Sequence, residues 1–162
     1  MSNVTPKPST KKTKLELRLT TKYSLVLLLI VVAGFLLVPT HSSRSSTQLT
    51  NMGKTRYAME VASTEQARRK GLSGRASMPR NKGMLFVFDA PDKACFWMKD
   101  MHFALDIIWL DSAKKVVHIE KNVLPATFPH NFCAVQPAKY VIELNAGEVD
   151  HSGIKLGQTL SL

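Results

Sequence analysis

Residues 83–111, GMLFVFDAPDKACFWMKDMHFALDIIWLD, constrain the fold more than any other stretch of the chain. Residues 84–88 form a short apolar strand bounded by Gly83 and Pro91, and 95–98 and 106–110 read as two more. Between the last two lies a charged centre, Lys99-Asp100, beside Trp97 and Met98. The rest of the C-terminal part extends the pattern. Residues 56–61 alternate as a first strand, 115–120 and 140–144 as later ones, and 154–162 as a turn and a last strand. Within 140–144, Tyr140, Ile142 and Leu144 share one face and Glu143 points the other way. One short helix is predicted over 65–70. Ser63 or Thr64 can cap it, Glu65 sits in its first turn, Arg68, Arg69 and Lys70 in its last, and Gly71 stops it. Short strands at this spacing with one short helix predict a mainly β domain, a sandwich or a barrel.

A different signal precedes the domain. Residues 23–43 contain no Asp, Glu, Lys or Arg, and 25–38 are almost wholly Leu, Val, Ile and Phe. As a helix such a stretch spans roughly 30 Å, one hydrocarbon core. Lys7, Lys11, Lys12, Lys14, Arg18 and Lys22 come before it, and only Arg44 follows before Lys54. That asymmetry puts the N-terminus in the cytoplasm and the following domain outside. A cleaved signal peptide is the competing reading, but the exit Val38-Pro39-Thr40-His41-Ser42 holds no A-x-A site. The expected organisation is a basic cytoplasmic tail (1–22), a single transmembrane helix (23–43), a flexible Ser/Thr-rich linker (44–54) and an extracytoplasmic domain (55–162). The alternative is secretion after cleavage.

Charge follows the same division. The 162 residues carry a net +10. Residues 1–50 hold seven Lys/Arg and one acid, Glu16, for +6; the rest hold 15 Lys/Arg and 11 acids, for +4. Most of the basic excess belongs to the tail, so no nucleic-acid partner is expected of the folded part.

Three blocks carry a family resemblance. The first is Arg68-x-x-Gly71-Leu72-x-Gly74-Arg75, followed by residues 83–88. The second is Phe96-Trp97-Met98-Lys99, then Leu105-Asp106-Ile107-Ile108. The third is residues 140–147, YVIELNAG, with Gly153, Ile154 and Gly157 after it. In order and spacing the chain from about Arg56 to Leu162 resembles the domain of unknown function 192 family. The resemblance implies a compact, mainly β fold of the jelly-roll type with a small helix, common in exported proteins. It implies no agreed activity and no agreed catalytic residue. The chain departs from the family's usual pattern at Ser73 (usually Met), Asp100-Met101 (usually Asn-Thr) and Ala104 (often Pro).

The chemistry-bearing residues each admit two readings. Cys95 and Cys133, the only cysteines, form an even pair that reads as a disulfide in an exported domain. Some relatives carry cysteines at similar places, and the alternative is two separate buried thiols. Arg68, Arg75, Lys99, Asp100, Asp106 and Glu143 make up the charged set of the motif blocks. Unpaired buried charge is costly, so a bracing arginine–carboxylate network is one reading. The other is an anion- or sugar-binding cleft lined by Arg68, Arg75 and Lys99, with Trp97 the aromatic expected to be most exposed. Asp100, Asp106 or Glu143 could also serve as an acid/base pair. The histidines form no H-x-H or H-x-x-x-H pair and there is no C-x-x-C, so no metal site and no cofactor are expected.

Taken together, the residues predict a binding or accessory module of the cell envelope, leaning away from catalysis, whose ligand is small and either anionic or a sugar. The candidate ligand-binding residues are Arg68, Arg75, Trp97, Lys99, Asp100, Asp106 and Glu143. The rivals are a hydrolase of envelope carbohydrate and a structural partner of a membrane complex.

Overall fold

A computed structural model describes residues 46–162. Eight strands form in chain order: β1 (Thr47–Met52), β2 (Thr55–Ala62), β3 (Lys82–Asp92), β4 (Cys95–Phe96), β5 (Leu105–Leu110), β6 (Val116–Val123), β7 (Phe132–Cys133) and β8 (Ala138–Asn145). Helix α1 (Glu65–Lys70) separates β2 from β3, and helix α2 (Glu148–Ser152) follows β8. The α1 prediction is met in detail: Thr64 accepts a hydrogen bond from the Ala67 amide, and Gly71 closes the helix.

Six strands form one mixed sheet in the order β1-β2-β3-β8-β5-β6. Only β2 and β3 run parallel, with α1 in the crossover that parallel strands require. Strands β1 and β6 stand at opposite edges and do not pair, so the described residues form no closed barrel. The sandwich-or-barrel expectation is therefore corrected to a mixed sheet with a separate β4–β7 ribbon. Alternation reports which face a residue takes but not which strand lies next to which, and the parallel pair left no mark in it.

Each face of the sheet buries an apolar cluster. One gathers Leu72, Phe86, Met98, Leu105, Ile107, Trp109 and Val141. The other gathers Tyr57, Met59, Leu85, Ile108, Leu110, Ile142 and Leu144. Strand β5 is buried at all six positions because both clusters close on it.

Two further expectations need correction. Residues 47–52, placed in the flexible linker, form β1, which pairs with β2 from Thr47 opposite Glu60 to Met52 opposite Thr55. Met52 is fully buried there, and the turn at Gly53 lies so close to α2 that a Cβ would sit 2.0 Å from the Ser152 carbonyl oxygen. The sequence predicts one helix, and Glu148–Ser152 form a second, α2. Its Glu148 is buried, accepting from Tyr57 and Arg80. The predicted tail, transmembrane helix and first part of the linker lie outside the described residues.

Candidate functional site

The face that carries Val141 also carries Glu143, one pleat along β8. Its neighbours across the sheet are Met84 on β3 and Ile107 on β5, both apolar. Only 6% of Glu143 is exposed, and its Oε2 has no hydrogen-bond partner. Burial pushes the Glu143 carboxyl up to about 8, against a smaller opposing pull from the Arg75 guanidinium. At neutral pH it is a neutral acid.

Glu143 lines a cleft of about 450 Å³. Phe86 and Phe88 from β3, and Ala94, Phe96 and Trp97 around the β4–β7 ribbon, give it apolar walls. Arg68, Arg69 and Lys70 at the end of α1 line it as well. The helix ends where its cations meet its own C-terminal dipole, so the sequence that stops α1 also makes this rim basic. Arg68 is firmly held: Nη1 donates to the carbonyls of Ser63 (2.6 Å) and Val87 (2.8 Å), and its guanidinium carbon lies 5.3 Å from the Phe88 ring centre. Arg69 is tied to Glu65, one turn back. Lys70 has no acidic partner within 4 Å among the described residues. Trp97 is 53% exposed and meets Phe128 edge to face, as alternation against buried Met98 predicted.

The disulfide expectation is met. Cys95 and Cys133 stand opposite each other in the β4–β7 register and are joined. The bond cross-links the two strands of the ribbon, next to Phe96 and Trp97, and Cys95 itself borders the cleft.

Other members of the predicted set fall elsewhere. Arg75 makes a bidentate pair with Glu60, both bonds 2.7 Å, and does not line the cleft. That pair holds the Glu60 carboxyl below the usual range and raises the Arg75 guanidinium. Asp106 lies on the opposite face of β5 from Ile107. It is fully buried there and accepts from the amides of Asn122 (2.9 Å) and Val149 (2.8 Å), which ties α2 to the sheet. Lys99 and Asp100 are exposed and serve through their backbones. Lys99 accepts from the Ser73 hydroxyl, and Asp100 accepts from the Gly74 amide. Asp100 has φ +57, a left-handed conformation that Asn and Asp tolerate best, so either residue satisfies this turn. An acid/base pair of Asp100 or Asp106 with Glu143 is not assembled, since Asp106 is across the sheet and Asp100 is outside the cleft.

The sequence reading missed Glu60, Lys70 and Phe88. Glu60 had a usable signal: it shares a face of β2 with the small residues Ala58 and Ala62, which leave room for the Arg75 fork.

The family model for domain of unknown function 192 (DUF192), described as an uncharacterised ACR, matches residues 47–162. The chain belongs to this family. Comparison with curated proteins gives no match. Solved structures resemble the DUF192 domain, among them two at 27–28% identity. One is a protein of Sinorhizobium meliloti, provisionally named a transcription regulator. It is 27% identical with a TM-score of 0.69, over 72% of this chain and 94% of its own. The other is a protein of unknown function from Novosphingobium aromaticivorans. It is 28% identical with a TM-score of 0.69, over 75% of this chain and 89% of its own.

Proposed function

We propose that this DUF192 domain is a small-molecule binding module of the cell envelope, held outside the cytoplasmic membrane by residues 23–43. The observation that carries the reading is the buried, unpartnered Oε2 of Glu143, a residue that lines an aromatic-walled cleft. A buried polar atom without a partner costs about 1–3 kcal/mol. A bracing carboxylate would have been given donors, as Asp106 and Glu148 were. A perturbed acid that lines a cleft is a functional-site candidate. The ligand supplies the missing hydrogen bond at Glu143, packs an apolar face on Phe96 and Trp97, and meets the basic rim of α1 with its polar end.

Thermal shift of the full chain in detergent tests this against monosaccharides, cell-wall fragments, nucleotides and metal salts. At least one class of small organic ligand should raise the midpoint, and Trp97→Ala should abolish the shift. No shift from any class, or a shift indifferent to Trp97→Ala, would sink the cleft reading. For the topology, an alkaline phosphatase fusion after Leu162 should be active. An expressed but inactive fusion would overturn the outside placement.

A further inference from the structure

Resting on that cleft reading, we infer that the ligand is a zwitterionic amino sugar: its ammonium group goes to Glu143 and its anionic group to Lys70. Two of the residues that line the cleft call for opposite charges. Glu143 is a carboxyl with an unpartnered oxygen and apolar residues on both neighbouring strands. Lys70 lies in the exposed last turn of α1 and has no acidic partner among the described residues.

A neutral hydroxyl would give Glu143 one hydrogen bond. An ammonium gives it an ion pair in a low-dielectric site and adds attraction from aromatic faces. The wall already shows that preference, since the Arg68 guanidinium lies over Phe88. The half-exposed Trp97, which also lines the cleft, offers a flat apolar surface that suits the C–H face of a pyranose ring.

The charged groups around Glu143 fit this assignment. Arg75 is already committed to Glu60, Arg68 to two carbonyls and Asp89, and Arg69 to Glu65. Asp92 borders the cleft from the end of β3. None of these hydrogen-bonds to Glu143, and the pull of Arg75 on it is smaller than the effect of burial. When the ammonium arrives, Glu143 ionises and its proton passes to solvent.

Four probes on one scaffold separate the two charges: glucosamine 6-phosphate, glucosamine, glucose 6-phosphate and glucose. Calorimetry of the full chain at pH 7, in two buffers of different ionisation enthalpy, reads affinity and proton release together. Glucosamine 6-phosphate should bind at least tenfold more tightly than either singly charged probe, with release of close to one proton. Glu143→Gln should remove the preference for the amine and the proton release while leaving glucose 6-phosphate binding in place. Lys70→Gln, at an exposed position, should remove only the preference for phosphate. Equal affinity for glucose 6-phosphate and glucosamine 6-phosphate would overturn the ammonium assignment and leave the cleft reading standing. Absence of binding by all four overturns the amino-sugar assignment. The cleft reading falls with it only if the wider thermal-shift panel is also negative.

Discussion

Replacing Glu143 by glutamine keeps the shape of the side chain and removes its ionisation, and the structure sets the size of the effect. The folded-state carboxyl sits at about 8 against an ordinary 4.5. At pH 7 the unfolded chain holds Glu143 ionised and the folded chain holds it protonated, so folding must take up a proton. Over the 2.5 units from 4.5 to 7 this costs about 3 kcal/mol, at 1.36 kcal/mol per unit. The cost is absent below the unfolded value, grows as pH rises, and levels off above about 8. Glutamine avoids it, while burying a neutral group with an unpartnered atom much as the protonated acid does. Glu143→Gln should therefore raise the thermal midpoint at pH 7 by roughly 10 °C and leave it nearly unchanged at pH 4.5. The assay is thermal unfolding of both proteins from pH 4.5 to 8.5. Parallel profiles across that range would refute the reasoning, because they would mean that Glu143 ionises in the folded protein as freely as in the unfolded one. The expected result is a gain in stability at the cost of ligand binding, the trade expected of a functional residue.

The remaining predictions concern the braces. Asp106→Asn turns one acceptor into a donor facing an amide and should cost about 2–4 kcal/mol by urea denaturation; ligand-cleft affinity measured on the folded fraction should not change. Arg75→Ala should cost about 1–2 kcal/mol at pH 7, since its fork with Glu60 is partly exposed. Because Glu60 is held below the usual carboxylate range, that loss should shrink as pH falls and Glu60 protonates. Reducing the Cys95–Cys133 bond, which spans 38 residues, should lower the unfolding free energy by about 4 kcal/mol on the chain-entropy model. Denaturation with and without reductant reads it directly.

Local chemistry was legible in the sequence wherever one residue's neighbours along the chain decide its role. The α1 cap and stop, the outward turn of Trp97 and the direction of Glu143 all followed from spacing. The disulfide followed from an even cysteine pair in a domain read as exported. Strand β1 was hidden because TQLTNM is polar and only Thr50 and Met52 face inward, so its single buried stripe is too short to stand out. Partner choice was not legible at all. Arg75 sits 15 residues from Glu60, and Asp106 sits 43 from Val149, and nothing in either spacing announces the contact.

By itself, then, the sequence determined that this chain makes short strands around one capped helix, with a lone acid, Glu143, turned away from Tyr140, Ile142 and Leu144. Those are properties of local propensity and period, which act over a few residues. Only the tertiary structure decided that the strands assemble into a mixed sheet, that Asp106 braces while Glu143 is left unpaired, and that α1 brings its cations to the same cleft. Pairing of that kind depends on strand order and on which face each carboxylate finds donors, and a linear pattern carries neither.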